Sequence, residues 1–250
     1  MEQSGFVTRP DGVRLAWSRV PGRGPAVVFL PGYRSDMTGA KAEHLAGWAA
    51  GRGRAFLRFD PGGHGRSGGA FTDGTIGSWT EDARQVIAAE APGPVVLVGS
   101  SMGGWIALLL ALRTALPVQA MVGIAAAPDF TEDLMWESMA PPERAALEHD
   151  GVLHVPSDYG DPMPVTRALI EDGRRHLLLR APVPLRVPVR LLHGQRDPDV
   201  PWETALRLSE RIEGPDVQVT LVKDGDHRLS RPGDLLLLTR TLDLLLENQA

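Results

Sequence analysis

Pro94-Val95-Val96-Leu97-Val98-Gly99-Ser100-Ser101-Met102-Gly103-Gly104 is the stretch that decides the fold, and Trp105-Ile106-Ala107-Leu108-Leu109-Leu110-Ala111-Leu112 follows it. A β-branched apolar run enters Gly99, passes Ser101 and Gly103, and continues as an apolar helix pattern. G-x-S-x-G between a strand and a helix is the nucleophile elbow, which exposes a serine on a sharp turn. The residues two before and two after the serine must be small, so that strand and helix can approach each other. Ser101, not Ser100, is central in that frame. The pattern implies acyl transfer through a serine ester.

The letters alone are not enough. Gly65-Arg66-Ser67-Gly68-Gly69 matches the same motif. No apolar helix begins there, so Ser67 reads as a loop residue.

Working outward, strand and helix patterns alternate. Residues 5–9 and 13–20 read as a hairpin turning at Asp11-Gly12. Strands are expected at 26–30, 55–60, 118–127, 188–193 and 216–222. Helices are expected at 38–51 with Thr38 as a cap, and at 78–91 with Ser78 as N-cap and Glu81 as its capping-box partner. Others are expected at 102–115, at 202–213 started by Pro201, and from 232 to 247. This alternation predicts an α/β fold: a mostly parallel central sheet with helices on both faces and an antiparallel edge from the hairpin. About 60 residues separate the strands at 118–127 and 188–193, more than a crossover needs. Helical patterns at 130–139, 142–149 and 164–179 predict a small inserted cap over about 129–186 within a single domain, 1–250. Residues 152–163 read as irregular or a short hairpin, and the Pro-rich piece 182–188 as the return to the sheet.

Composition sets further bounds. The 250 residues are 43 % hydrophobic and 23 % charged, with a net charge of −5 from 26 basic and 31 acidic side chains. No basic stripe exists, so nucleic acid is not an expected partner. There is no cysteine, which excludes disulfides, thiolate metal sites and a cysteine nucleophile. No His-x-x-x-His pair, phosphate loop or dinucleotide fingerprint is placed to hold a metal or cofactor, so neither is expected. The start lacks a secretory n-region and h-region, and the longest apolar run, 105–112, is too short to span a bilayer. A soluble, cytoplasmic protein is the expectation. Oligomeric state is not legible.

A serine hydroxyl needs an adjacent base, and the base needs an orienting acid. Two aspartates, Asp197 and Asp199, follow the strand that ends at His193-Gly194. His227 follows the strand 216–222. His193 also follows a strand but precedes the acid, the wrong order for the base. The oxyanion of a tetrahedral intermediate needs two donors. One is the Met102 N–H, next after the serine. The other belongs to the loop Pro31-Gly32-Tyr33-Arg34; Pro31 has no N–H and Gly32 allows the turn, leaving the Tyr33 N–H. The side chains of Tyr33 and Met102 then matter less than their amides.

With these residues in hand, the chain resembles the α/β-hydrolase family along nearly its whole length. More narrowly it is similar to the group of mitochondrial palmitoyl-protein thioesterases that also hydrolyse mycophenolic acid acyl-glucuronide. Leu30-Pro31-Gly32-Tyr33 with Ser35, Met37, Gly39 and Lys41 carries this, as do Arg58-Phe59-Asp60 and Gly99-Ser100-Ser101-Met102-Gly103-Gly104-Trp105. Leu191-Leu192-His193-Gly194 with Asp197, Val200-Pro201-Trp202, and Asp226-His227-Arg228 complete it. The proline and arginine content suits a bacterial member. The resemblance implies Ser101 as nucleophile, Asp197 rather than Asp199 as acid, and His227 as base, cleaving thioesters of long acyl chains or oxygen esters including acyl-glucuronides. The partner would be a small-molecule or acylated-protein ester or thioester.

Substrate contacts are weighed on chemistry alone. Met135, Trp136 and Met139, with Leu153 and Met163, are adaptable apolar residues that could line an acyl tunnel, or simply hold the cap to the core. Arg34 and Lys41 could meet an acidic substrate such as a glucuronate, or be solvated. Trp105 reads as buried packing. The rival functions are a lipase-like or C–C hydrolase with the same triad, and a ligand receptor on a hydrolase fold that has lost its chemistry. An aspartate nucleophile, as in a dehalogenase, is excluded by the serine at 101.

Overall fold

The computed structural model describes residues 1–156 and 161–247. Eight strands form one sheet in the order β1-β2-β4-β3-β5-β6-β9-β10. They are β1 (Gln3–Thr8), β2 (Arg14–Val20), β3 (Arg23–Leu30), β4 (Arg54–Phe59), β5 (Val95–Ser100), β6 (Val118–Ile124), β9 (Val189–Gly194) and β10 (Val217–Val222). All neighbours from β4 to β10 run parallel, while β2 is antiparallel to both β1 and β4. The hairpin edge and the parallel body are as the alternation predicts.

Residues 26–30 of β3 and 95–98 of β5 are unbroken apolar runs because both faces are covered. Side chains alternate across a strand. Val28 and Leu30 of β3, with Val95 and Leu97 of β5, join one core. Val27, Phe29, Val96 and Val98 join the other. The first core is closed by α2 (Ile76–Glu90), α3 (Met102–Arg113) and α6 (Glu203–Arg211). The second is closed by α1 (Ala40–Arg52) and α7 (Pro232–Glu247). Residues 102–110 of α3 are all buried, so this helix is apolar on every side. Trp105 is fully buried, with its indole N–H donating to His176 O.

Helix starts differ from the sequence reading in three places. The cap of α2 is Thr75: its hydroxyl accepts from the Ser78 N–H and the Ser78 hydroxyl accepts from the Thr75 N–H. Glu81, expected to complete a box on Ser78, pairs instead with Arg84 one turn on. Two capping-type residues three apart both fit the motif, and the earlier one captures the box. At α1 the cap position is Gly39, because the Thr38 hydroxyl is held by Asp36. Helix α6 begins at Glu203 after Trp202, two residues later than Pro201.

Between β6 and β9 lies the inserted segment. It holds a π-helical turn at Thr131–Trp136, α4 (Pro141–Asp150), a hairpin of β7 (Val152–Val155) with β8 (Met163–Thr166), and α5 (Arg167–Arg174). The helix expected over 164–179 is therefore a strand followed by eight helical residues. Val152 to Val155 pair with Thr166 to Met163, and Thr166 then caps α5 through the Leu169 N–H. The tip of the stretch expected to be irregular or a hairpin, 157–160, lies outside the described residues. No helix among the described residues is long and apolar enough to cross a membrane.

Candidate active site

Ser101 stands between β5 and α3 with φ 53° and ψ −118°, a conformation that costs a non-glycine residue about 1–3 kcal/mol. Its surroundings hold it there. The Ser101 N–H donates to Ile124 O, and the Ser101 carbonyl accepts from Gly104 and Ala127 N–H. The tight packing explains the flanking glycines. A Cβ on Gly99 would sit 2.3 Å from Gly103 O, and one on Gly103 would sit 2.1 Å from Leu30 O.

Three loops at the C-terminal ends of β5, β9 and β10 bring the ordered residues together. His227 Nε2 lies 3.1 Å from Ser101 Oγ, and His227 Nδ1 lies 2.8 Å from Asp197 Oδ2. A carboxylate only accepts, so Nδ1 carries the hydrogen and Nε2 faces the serine with a free lone pair. The Asp197 side chain is fully buried. Its Oδ1 accepts from the Asp199 and Val200 N–H groups, each at 2.9 Å. Burial opposes ionisation of Asp197. The hydrogen bonds from His193 and His227 outweigh it and hold the carboxyl well below the usual carboxylate range. Asp199 is exposed and contributes its backbone amide to the Asp197 turn. Asp197, Asp199 and His227 offer ligand atoms within 4.8 Å of one another, but both Asp197 oxygens are already engaged by donors.

His193, set aside as base because it precedes the acid, has a place in the site. It is fully buried, with Nε2 3.2 Å from Asp197 Oδ2 and 3.0 Å from Val200 O. Asp197 Oδ2 thus faces two imidazoles. The His-Gly-x-x-Asp spacing was the available signal: it places residue 193 at the strand end beneath the turn that carries residue 197.

The loop after β3 lies against the nucleophile. A Cβ on Gly32 would approach Ser101 Cβ and Ser100 O to 3.4 Å each. Asp60, at the end of β4, fixes the far end of this loop, accepting from Met37 N–H at 2.7 Å and from Arg66 N–H at 2.8 Å. Burial raises the Asp60 pKa, opposed by those amides. Ser67 serves the same corner. Its hydroxyl accepts from the Ala16 N–H at 2.8 Å and donates to Asp60 O.

The residues weighed as substrate contacts pack or bond as follows. Met139 is buried in a cluster internal to the insertion with Leu147, Val165 and Ile170, and Met135 and Trp136 pack against it. The guanidinium groups of Arg144 and Arg174 both lie over the Trp136 ring. The Arg34 guanidinium donates to the carbonyl of Asp161 at 2.8 Å. Lys41 reaches the Arg228 carbonyl and the Ser230 hydroxyl in the loop carrying His227. Arg34 and Lys41 thus each bond to the backbone of a neighbouring segment.

Residues 24–158 match the protein family described as serine aminopeptidase, S33. A mitochondrial palmitoyl-protein thioesterase of Homo sapiens, ABHD10, is 37 % identical over 97 % of this chain and 79 % of its own length. A crystal structure from Agrobacterium vitis S4, of a protein described provisionally as a hydrolase, is 42 % identical. It covers 98 % of this chain and 99 % of its own, with a TM-score of 0.94. Mouse α/β-hydrolase domain-containing protein 10 is 36 % identical, covers 99 % of this chain and 100 % of its own, and has a TM-score of 0.91. With the serine elbow at a strand-to-helix turn, a parallel sheet with an antiparallel edge, and relatives that match it from end to end, the chain belongs to the α/β-hydrolase family.

Proposed function

We propose that this protein is a serine hydrolase that cleaves acyl thioesters or oxygen esters through a covalent acyl-enzyme on Ser101. The observation that carries the reading is the unbroken hydrogen-bonded row from Ser101 Oγ through His227 to the buried Asp197 carboxylate. Such a row activates a hydroxyl at neutral pH. As Ser101 Oγ bonds to the acyl carbon, His227 Nε2 takes its proton. The ionised Asp197 stabilises the imidazolium and keeps the ring in its tautomer. The negative charge moves to the former carbonyl oxygen, where the Met102 and Tyr33 N–H groups would receive it. The first position of a helix has no intrahelical partner for its N–H, which leaves Met102 available. His227 returns its proton to the departing thiol or alcohol, and water repeats the sequence on the ester.

The substrate class is read from the relatives. The relatives named as palmitoyl-protein thioesterases support long-chain acyl thioesters. Arg34 bonds to carbonyls of the insertion through Nη1 alone, so an acyl-glucuronide stays in the test beside acyl thioesters. The acidic balance and the absence of cysteine agree with a cytoplasmic setting, whereas the thioesterase relatives are named as mitochondrial.

The test is turnover of acyl thioesters of graded chain length beside nitrophenyl esters and an acyl-glucuronide, with Ser101→Ala as control. The reading predicts turnover that rises with acyl length and disappears in the variant. No turnover of any member would overturn it in favour of a ligand receptor.

A further inference from the structure

Tyr33 contributes more than an amide. Its phenol O–H donates to Pro164 O at 2.7 Å, across 131 residues of sequence, at the start of cap strand β8. Its ring is wedged edge-on against Phe71, Trp79 and Phe130, with centroids 4.8, 5.8 and 5.9 Å away. The next residue is tied to the same place. Arg34 holds the carbonyls of Asp161 and Pro162, and does so with φ at 58°. That left-handed backbone is unfavourable for arginine unless its surroundings enforce it. Two consecutive residues of the loop are thus anchored to one four-residue piece of the cap, 161–164. The same loop presents Gly32 against Ser101.

A peptide plane is oriented by its neighbours' dihedrals, and an oxyanion donor is useful only if its direction is fixed before charge develops. We propose that Tyr33 is a positioning residue, whose hydroxyl, bonded to the cap carbonyl of Pro164, fixes the direction of its own backbone N–H over Ser101. The inference rests on the serine-hydrolase reading. It departs from the expectation that the Tyr33 side chain matters less than its amide. Burial pushes the phenol pKa upward, only partly offset by Arg34, so the hydroxyl remains a donor across the working pH range.

The test is Tyr33→Phe, which keeps the ring and the amide and removes only the bond to Pro164. The readout is the second-order rate of inactivation by a short-chain fluorophosphonate, whose adduct places an oxygen at the oxyanion position without filling an acyl site. The parent should be labelled at Ser101, and Y33F should be labelled about tenfold more slowly, a fraction of the hundredfold or more that losing a donor outright costs. The ratio of the two rates should stay flat from pH 6.5 to 9. On nitrophenyl acetate, kcat should fall while KM holds. A labelled parent with Y33F within twofold of it, or a loss confined to the KM of long-chain substrates, overturns the inference alone. A parent that takes no label removes the reading and the inference with it. If Y33F melts below assay temperature, both proteins are compared at a temperature where Y33F is folded, and the same two outcomes support or overturn the inference.

Discussion

Replacing Asp197 with Asn changes one atom and reverses the direction of a proton. In the native site Oδ1 accepts from the Asp199 and Val200 amides, and Oδ2 faces His227 Nδ1 and His193 Nε2. An asparagine has one accepting oxygen. Two backbone N–H groups fix that oxygen at the Oδ1 position, so the NH₂ group faces the imidazoles. His227 Nδ1 must then accept, and the ring hydrogen moves to Nε2, which points at Ser101 Oγ as a donor and cannot take its proton. A wrong tautomer of this kind costs about ten-thousandfold in kcat, which is about 5.4 kcal/mol of transition-state stabilisation. The variant should fold, because the turn amides keep their acceptor. Asp199→Asn, whose backbone amide does the work at this turn, should stay within about tenfold of the parent. Steady-state hydrolysis of nitrophenyl butyrate, with melting curves to show that each variant is folded, reads both. An Asp197→Asn enzyme within tenfold of the parent, or a larger loss in Asp199→Asn, would refute the reasoning.

Two further predictions concern stability. Gly103→Ala drives a Cβ to 2.1 Å from Leu30 O, a backbone atom that cannot swing aside, and should cost about 3 kcal/mol as an overpacked core does. Gly47→Ala, in the exposed interior of α1 with nothing within 4 Å, should instead stabilise by about 0.5–1 kcal/mol; urea unfolding in which the two variants change places would contradict the packing account. Burial pushes the Lys41 ammonium, over the His227 loop, from 10.5 down to about 8. Between pH 8 and 10.5 the unfolded chain therefore binds more protons than the folded one, and this group adds stability as pH rises. Lys41→Met should flatten that part of the urea-midpoint curve, and a curve that keeps the parent's slope would show that the Lys41 ammonium is not its source.

The sheet and the elbow are legible because their physics is local. A strand buried on both faces must be apolar at every position, as 95–98 is, and a strand-to-helix turn this tight admits only small residues at 99 and 103. The order serine, acid, histidine along the chain is equally readable, since each residue sits at the end of a recognisable strand. The cap is less so. Its strands β7 and β8 are four residues each, too short for period-two alternation to stand out from the helical spacing of 164–179. Its bonds to the core run from Tyr33 and Arg34 to backbone carbonyls, and a carbonyl leaves no trace in the residue types. For that reason Arg34 read as a surface cation, and Met135, Trp136 and Met139 read equally well as tunnel or as packing. His193 is obscured by the rule that singles out His227. Chain order excludes it as base and says nothing of its bond to the acid.

The central claim is that Ser101, activated by His227, is acylated during turnover. Its most direct test is fluorophosphonate treatment followed by mass spectrometry of the intact chain and of the peptides that carry Ser67, Ser100 and Ser101. The account predicts one phosphonate per chain, located on Ser101, and none on Ser101→Ala. Label on Ser67 or Ser100, or persistent label in the Ser101→Ala protein, would contradict it.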